Sequence, residues 1–443
     1  MKYFINSFLK NRDAIAISMV FCSGPINYAL RDGVGLAPGS TIFSTLLMFG
    51  GLFLFLPYRN FRLLYSQNTP LTALAIVFLS IATIYIFIYH NPLTTSNLLI
   101  YDGITILIVF YTFFYLYTVK NKDLGMNFLK MSLFLSVIGC IGLLIYMALN
   151  PAYLLGARAG ISFGNTEEEN TGNPHIFAKG AYIGIVAALI YIKHEKHRFQ
   201  KNFIYFYMLI FFTVLVLSQA MSAILATAVL IPMFIWYNNT LLGLLKKAGA
   251  LLSKWYVWII IIAGLYKGID FFNKNAEVIQ AGYTMIELRV GNLLSTFFTS
   301  DDKSKPDKNL EDVSASIRVE NFYQVVDSFI ENIEQGKYLK IIFGNGHKSI
   351  YVDIPILEVL QSYGLIGFVI FSYFFFLMFR YCLREMKRPT SIISEFAAYG
   401  FIYFFIFTFT NGLIIDYTRW TFFALVCRYV PDGYHYISNR NVA

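Results

Sequence analysis

The sequence predicts an all-α polytopic membrane protein, a single integral membrane domain over 1–443 with about 12 transmembrane helices. Three observations lead to this class. The chain is 57% hydrophobic and only 14% charged, whereas soluble domains carry about 25% charged residues. Apolar runs long enough to cross a bilayer recur along the whole chain, and the mean hydropathy is +0.57. The 44 Phe and 32 Tyr residues suit contact with lipid and with the two membrane interfaces.

The apolar runs divide into helices by the span of roughly 20 residues that a bilayer requires. The run at 203–237 is interrupted only at 218–222, so it forms either two helices or one broken or re-entrant segment. The predicted helices lie near 14–30, 40–57, 71–90, 98–118, 128–149, 176–193, 203–219, 221–237, 255–272, 355–378, 394–412 and 418–430.

Basic residues are concentrated in alternate connections between these helices. They cluster near 2–12, 59–62, 120–130, 193–201, 246–254, 380–388 and 428–440, and the intervening short connections hold few. By the positive-inside rule, both termini are cytoplasmic, 203–237 crosses twice, and the long loop 273–354 faces outward. The basic start of the chain resembles a signal peptide, but no cleavage site followed by a soluble body is seen, so it is interpreted as the flank of the first helix.

The sequence contains no motif typical of a metal site, a nucleotide-binding loop or a serine hydrolase. The four cysteines lie in or beside apolar runs without zinc-ligand or disulfide spacing, so neither kind of site is expected. No Walker loop, GxSxG or HExxH occurs, and no metal-ligand cluster is visible. The net charge of +9 suggests affinity for anionic lipid, and nucleic acid is not an expected partner.

Two outward loops are more than connections. The loop 150–179 is rich in Gly, Asn and acidic residues, and it ends in a turn signal just before a helix. The loop 273–354 contains apolar residues at helical spacing, which predicts an amphipathic helix that lies on the membrane or caps a cavity. Those residues are Val319, Phe322, Val326, Phe329, Ile330 and Ile333. No internal repeat is visible, which disfavours an alternating-access transporter.

Arginines in these loops are candidates for binding phosphate. Arg158 in the first loop and Arg318 at the start of the amphipathic helix fit bidentate phosphate contacts, and each is equally explained as a surface arginine. Arg289 and Arg419 are weaker candidates, and for these two the surface interpretation is favoured. Lys348 lies at the membrane rim, where a charged side chain is a functional candidate by default.

Three residues are candidates for a general base. His175 lies where the first loop enters its helix, where a polar residue is also common. His347 lies in a Gly-rich turn that favours polar residues in any case. Asp353 precedes Pro355 at the mouth of a helix, where it acts either as a base or as an acid that complements the helix dipole.

Three motifs together resemble the O-antigen polymerase and O-antigen ligase superfamily, membrane glycosyltransferases of the GT-C type. Arg158 followed by NPHIFA at 173–178 is similar to the family's Arg-then-NPN-x-x-A pattern in the first periplasmic loop. Arg318 leading into Phe322-Tyr323 is similar to the Arg that starts the second loop's helix. The turn GNG at 344–346, followed by YGLIG at 363–367, resembles the closing motif. The resemblance covers roughly 150–370 and implies a GT-C-like fold.

Two departures distinguish the chain within that superfamily. Ligases carry a His about eleven residues before the Gly that matches Gly364, where this chain has Asp353. Ligases also carry a Ser-Arg pair where this chain has Ala220-Met221. Both departures favour the polymerase over the ligase.

The resemblance implies transfer of a glycan block at the periplasmic face of the bacterial inner membrane, with release of undecaprenyl diphosphate. It implies no metal and no cofactor. The expected partners are undecaprenyl-diphosphate-linked glycans, membrane lipid and a chain-length regulator protein. An O-antigen ligase that transfers glycan to lipid A-core, and a flippase or other transporter of lipid-linked oligosaccharides, are the alternatives.

Overall fold

The computed structural model describes residues 2–37, 40–54, 69–118, 124–149, 159–161, 174–238, 253, 255, 313–350 and 352–431. Within these ranges the chain is mostly α-helical and contains no β-strand. Its contacts divide it into two compact units. The first comprises 1–151, 158–230 and 328–443, and the second comprises 152–157 and 231–327.

Most of the described helices are long, and the shortest are α2, α3, α4 and α12. A π-helical turn at Ala29–Gly33 directly follows α2. The α-helices are α1 Lys2–Cys22, α2 Gly24–Tyr28, α3 Thr41–Ser44, α4 Leu46–Leu54, α5 Pro70–Ile88, α6 Ser96–Thr118, α7 Gly125–Leu149, α8 Pro174–His194, α9 Arg198–Ser218, α10 Met221–Asn238, α11 Val313–Glu334, α12 Tyr338–Phe343, α13 Pro355–Lys387, α14 Ile392–Thr410 and α15 Tyr417–Tyr429.

Among the described residues, eight helices are long and apolar enough to cross a membrane, which confirms the polytopic class. They are α5 to α10, α13 and α14. A ninth crossing results if Asn11–Cys22 and Gly24–Gly33, which meet at an angle of 62°, form one bent span. The interrupted run at 203–237 forms two separate helices, α9 and α10, because Gln219 between them takes a left-handed conformation (φ 49°).

The remaining predicted helices have different outcomes. The run at 40–57 contains two short helices, α3 and α4, within the described residues. The last predicted helix, α15, has only 13 residues, and the helix predicted at 255–272 lies outside the described residues. The total of about 12 crossings therefore stays a prediction.

The amphipathic helix predicted in the long loop is present as α11. Apolar side chains on it remain about half exposed, among them Phe322 at 47%, Ile330 at 47% and Ile333 at 48%. Exposed apolar side chains on one helix suit contact with a membrane surface.

Contacts between helix ends define two ends of the bundle. At one end, Asn127 on α7 donates a hydrogen bond to Asn11 on α1 (2.7 Å), and Glu395 on α14 pairs with His194 on α8 (3.1 Å). At the other end, which we name the site end, Asn411 after α14 lies 3.4 Å from His175 on α8. Helices α8 and α14 therefore run in opposite directions.

An aromatic core fixes the start of α15 at the site end. The Trp420 ring is fully buried and stacks on Phe374 of α13 (5.7 Å between centroids) and on Phe78 of α5 (5.6 Å). Its indole N–H donates to the carbonyl of Ile414 (2.8 Å). The buried rings supply apolar contact area, and the indole N–H holds the connection 411–416 against the end of the bundle.

Candidate functional site

The GNG turn at 344–346 docks on an interruption in α13. Gly364 leaves the helical conformation (φ 63°, ψ −163°), so the carbonyls of Gln361 and Ser362 lose their regular helical partners. Asn345 N–H donates to the Gln361 carbonyl (2.9 Å), and Gly346 N–H donates to the Ser362 carbonyl (3.2 Å). The break in the helix thus supplies the acceptors that hold the turn.

Close backbone approach explains the glycines at this contact. A Cβ on Gly344 would lie 2.4 Å from the Ser362 carbonyl oxygen, and a Cβ on Gly364 would lie 2.3 Å from the Gly344 nitrogen. Both residues also have positive φ, at 82° and 63°, where side chains other than Gly are strained. The two halves of the closing sequence motif are therefore in direct contact.

The side chain of His347 is held inside the bundle by two other helices. Its backbone pairs with the end of α5: His347 N–H donates to the Tyr89 carbonyl (2.9 Å), and Asn91 N–H donates to the His347 carbonyl (3.0 Å). Its imidazole Nε2 lies 2.8 Å from Asp102 Oδ2 on α6, and Nδ1 lies 3.2 Å from the Tyr363 hydroxyl. With Asp102 ionised, Nε2–H donates to it, and a neutral ring then accepts from Tyr363.

Asp102 also forms an ion pair with Lys348. Lys348 Nζ lies 2.6 Å from Asp102 Oδ2, and the lysine side chain stays 19% exposed while Asp102 is 2% exposed. Lys348 adopts a positive φ of 54°, an uncommon conformation that its ion pair helps to hold. The buried carboxylate is thus paired and hydrogen-bonded, as its burial requires.

The connection 411–416 between α14 and α15 is the second part of the site. Asp353 Oδ1 accepts from Gly412 N–H (3.0 Å), and Glu358 Oε2 accepts from Ile414 N–H (2.5 Å). Arg419, fully buried, donates to the carbonyls of Asn411 (3.0 Å) and Leu413 and lies over the Phe407 ring. These contacts satisfy backbone groups that would otherwise be orphaned at two helix ends.

Glu358 links the two parts of the site. It is 2% exposed, and it interacts electrostatically with Arg419, Lys348 and Asp102. Arg419 in turn interacts with Asp353. The site end therefore holds one connected set of charges that spans α6, the GNG turn, α13 and α15.

The structure brings together five of the residues chosen from the sequence. His347 and Lys348 meet at Asp102, and Asp353, Arg419 and His175 surround the connection 411–416. Asp353, His175 and Lys348 are partly exposed. His347 and Arg419 are fully buried, so substrate reaches them only if this packing opens. The surface interpretation favoured for Arg419 is therefore wrong, because its guanidinium donates to backbone carbonyls inside the fold.

The structure does not describe the side chains of the other three candidates. Arg158 and Arg289 lie outside the described residues, and Arg318 is described only as a backbone position in α11. Ala159, the neighbour of Arg158 in sequence, donates its N–H to the Leu217 carbonyl at the end of α9 (2.9 Å).

Sequence reasoning missed two acids on which the site depends. Asp102 lies near the start of α6 and Glu358 near the start of α13, each inside a predicted membrane span. An ionisable residue within an apolar span is a functional-site candidate by default. That signal was present in the sequence, but it did not indicate the partners of either acid.

The site holds two partly exposed charged groups in fixed positions. The carboxylate of Asp353 accepts a hydrogen bond from a backbone N–H, and the ammonium of Lys348 pairs with buried Asp102. Within the described residues, no group of three or more His, Cys, Asp or Glu side chains is arranged to hold a metal ion.

Fold and site together define a polytopic helical membrane protein with a buried charge network at one end of its bundle. No family model matches the chain, and no significant match is found among curated proteins.

Proposed function

We propose that the protein is a membrane glycosyltransferase of GT-C type that polymerises undecaprenyl-diphosphate-linked oligosaccharide repeat units, as in O-antigen or a related surface polysaccharide. The growing glycan is the donor, and a lipid-linked repeat unit is the acceptor. The protein lies in the bacterial inner membrane with the site end toward the periplasm. Basic residues at the opposite end, among them Lys193, Lys196, Arg384 and Lys387, support this orientation.

One observation supports this function above the others. Asp353 and Lys348, both partly exposed, lie on the one segment that leads into α13, where Gly412 N–H fixes the first and buried Asp102 fixes the second. A fixed carboxylate and a fixed cation are what a transfer reaction with an anionic leaving group needs.

In the proposed reaction, a hydroxyl of the acceptor sugar attacks the anomeric carbon of the donor glycan. A new glycosidic C–O bond forms, and the C–O bond to the diphosphate breaks. Asp353 takes the proton of the attacking hydroxyl. Lys348, together with Arg158 and Arg318, stabilises the negative charge that develops on the departing diphosphate.

The test is a polymerisation assay on purified protein supplied with lipid-linked repeat units. Asp353→Asn keeps the size of the side chain but removes the basic carboxylate, and we expect polymer formation to fall by about 10²–10⁴-fold. The matched control is Asp13→Asn, at the other end of the bundle, where Asp13 lies 3.5 Å from Arg12. Near-normal turnover in Asp353→Asn would reject this residue as the base.

The arginines are tested separately. Arg158→Ala and Arg318→Ala should each shorten or abolish polymer, and Arg→Lys should rescue only in part because lysine lacks the planar fork. Wild-type polymer length at normal protein levels in both alanine variants would contradict their proposed role.

A transporter of lipid-linked oligosaccharides is the second candidate function. The observation that favours it is the 62° bend between Asn11–Cys22 and Gly24–Gly33, because discontinuous helices line the substrate sites of many transporters. Movement of lipid-linked repeat units across vesicles without any polymer would support this function. Transfer of glycan to lipid A-core would instead support the ligase.

A further inference from the structure

A small cavity lies between the bend of the first helices, α8 and the start of α15. Its volume is about 50 Å³, which is enough for a few water molecules or one phosphoryl group. Apolar side chains form part of the wall. The polar part of the wall consists of Ser23, Asn27, Tyr28, Ser44, Lys179, Tyr417, Thr418 and Thr421.

Among the described residues that form this wall, Lys179 is the only lysine or arginine. It lies on α8, a candidate membrane span, at about 7.5 Å along the helix axis from Pro174. A lysine at this depth either extends to the interface or binds something within the protein. Its side chain is partly exposed and lines a cavity between helices, so the second explanation fits the geometry.

The acids near the cavity are already engaged. Asp416 is the acid that interacts with Lys179 electrostatically, but its Oδ1 accepts from Arg419 N–H (2.8 Å) and from the Thr418 hydroxyl (2.5 Å). Asp32 pairs with Arg31 (2.9 Å, Nε to Oδ1). Among the described residues, no carboxylate forms an ion pair with Lys179. Its charge is therefore unmatched by a direct contact within this part of the chain.

The wall also offers hydrogen-bond donors around that charge. The hydroxyls of Ser23, Tyr28 and Tyr417 border the cavity, whereas the Asn27 amide donates to the Ser44 carbonyl (2.9 Å). An ammonium surrounded by hydroxyl donors is suited to bind oxygens that carry negative charge.

Tight packing fixes the shape of the cavity. A Cβ on Gly180, next to Lys179, would lie 2.3 Å from the Pro25 side chain of α2. The bend after Cys22 and helix α8 are thus in direct contact at this level, so the cavity cannot widen here without a shift of one helix. Its volume limits the part of a ligand that enters to a group about the size of one phosphate.

We propose that this cavity binds a phosphate group through Lys179, with the Ser23, Tyr28 and Tyr417 hydroxyls as further donors. The phosphate belongs either to a lipid, whose chain leaves along the apolar wall, or to free diphosphate. The lipid source rests on the proposed function, because a lipid-linked diphosphate is the substrate there. Binding itself needs no glycan transfer.

The experiment measures binding to the purified full-length protein in detergent by isothermal titration. The probes are geranyl diphosphate, inorganic diphosphate and uncharged geraniol. We expect Lys179→Met to weaken binding of geranyl diphosphate by about tenfold or more, because a hydrogen bond to a charged group is lost. Ser23→Ala should weaken it less. The control is Lys130→Met, an exposed lysine on α7, which should bind as wild type does.

Protein folding is checked by thermal unfolding without any probe. Lys179→Met should melt at or above the wild-type temperature, because a charge without an ion-pair partner is removed from a largely apolar site. A lower melting temperature would mean that Lys179 is paired within the protein, and this would overturn the proposal.

The probes distinguish the two sources of phosphate. Stronger binding of geranyl diphosphate than of inorganic diphosphate, with none of geraniol, would support a lipid phosphate. Equal binding of both diphosphates would support free diphosphate. The proposal is overturned if wild type binds neither diphosphate, or if Lys179→Met binds as tightly as Lys130→Met. Since no polymer is formed in this assay, failure of the polymerase proposal would not affect the result.

Discussion

The contact between Gly344 and Gly364 allows a quantitative test of how the site is held. In Gly364→Ala, the new Cβ would lie 2.3 Å from the Gly344 nitrogen and 2.5 Å from the Ile342 carbonyl oxygen. Both are backbone atoms, so they cannot move aside as a flexible side chain can. The GNG turn must then leave α13.

The cost has two parts. Forcing a residue other than Gly into this conformation costs about 1–3 kcal/mol. Moving the turn also breaks the hydrogen bonds from Asn345 and Gly346 to α13, each of which contributes about 0.5–1.5 kcal/mol. The expected loss of unfolding free energy is therefore about 2–6 kcal/mol.

Gly336→Ala is the matched control. Gly336 has a similar positive φ of 65°, but a Cβ there would meet nothing within 4 Å. It should cost only the left-handed conformation, about 1–2 kcal/mol. The entropy effect of Gly→Ala on the unfolded chain is the same in both variants and cancels in their comparison.

The measurement is thermal unfolding in detergent with a thiol-reactive dye. It suits this protein because all four cysteines are buried and free, so dye reaction reports their exposure. We expect Gly364→Ala to melt clearly below Gly336→Ala. If the two variants melt at the same temperature, the turn is not held by its contact with α13.

Three further predictions concern the charges and the orientation. Asp102→Asn should lower the unfolding free energy by about 3–5 kcal/mol, because it breaks a buried ion pair; adding Lys348→Met should restore part of the loss, and equal melting of the single and double variants would contradict the pairing. Arg419→Lys should cost about 1–3 kcal/mol, because an ammonium cannot reproduce the fork that contacts two carbonyls; a wild-type melt would contradict this. A cysteine at exposed Lys337 should react with a membrane-impermeant thiol reagent from outside, whereas one at exposed Lys196 should not; equal reaction would refute the orientation.

The sequence was sufficient to predict most of the long helices. A bilayer crossing must satisfy its own backbone polar groups, so each long apolar run has to be a helix. The eight long apolar helices all coincide with predicted runs. The division of 203–237 into two helices was open in the sequence and was decided by the left-handed conformation of Gln219. The helix α11 was predicted from its apolar spacing, which depends only on local periodicity.

The composition of the site was only partly predictable. Asp353, His347 and Lys348 were chosen because polar residues at a membrane rim are costly to keep there. Asp102 was missed because nothing in its local sequence indicates a partner that lies 245 positions away, at His347. For Arg419 the sequence favoured a surface arginine, and this was wrong, because the buried side chain donates to backbone carbonyls of the connection 411–416 and the sequence does not indicate which carbonyls a side chain reaches.

What the sequence determined by itself is the class: an all-α membrane protein with basic residues concentrated in alternate connections between its helices. These properties follow from hydropathy and from the 3.6-residue period, which are local. Only the tertiary structure decided that the GNG turn binds the interruption in α13, that Asp102 is shared by His347 and Lys348, and that Lys179 faces a cavity. These contacts join residues far apart in sequence, and they depend on how closely helix backbones approach, which no local pattern encodes.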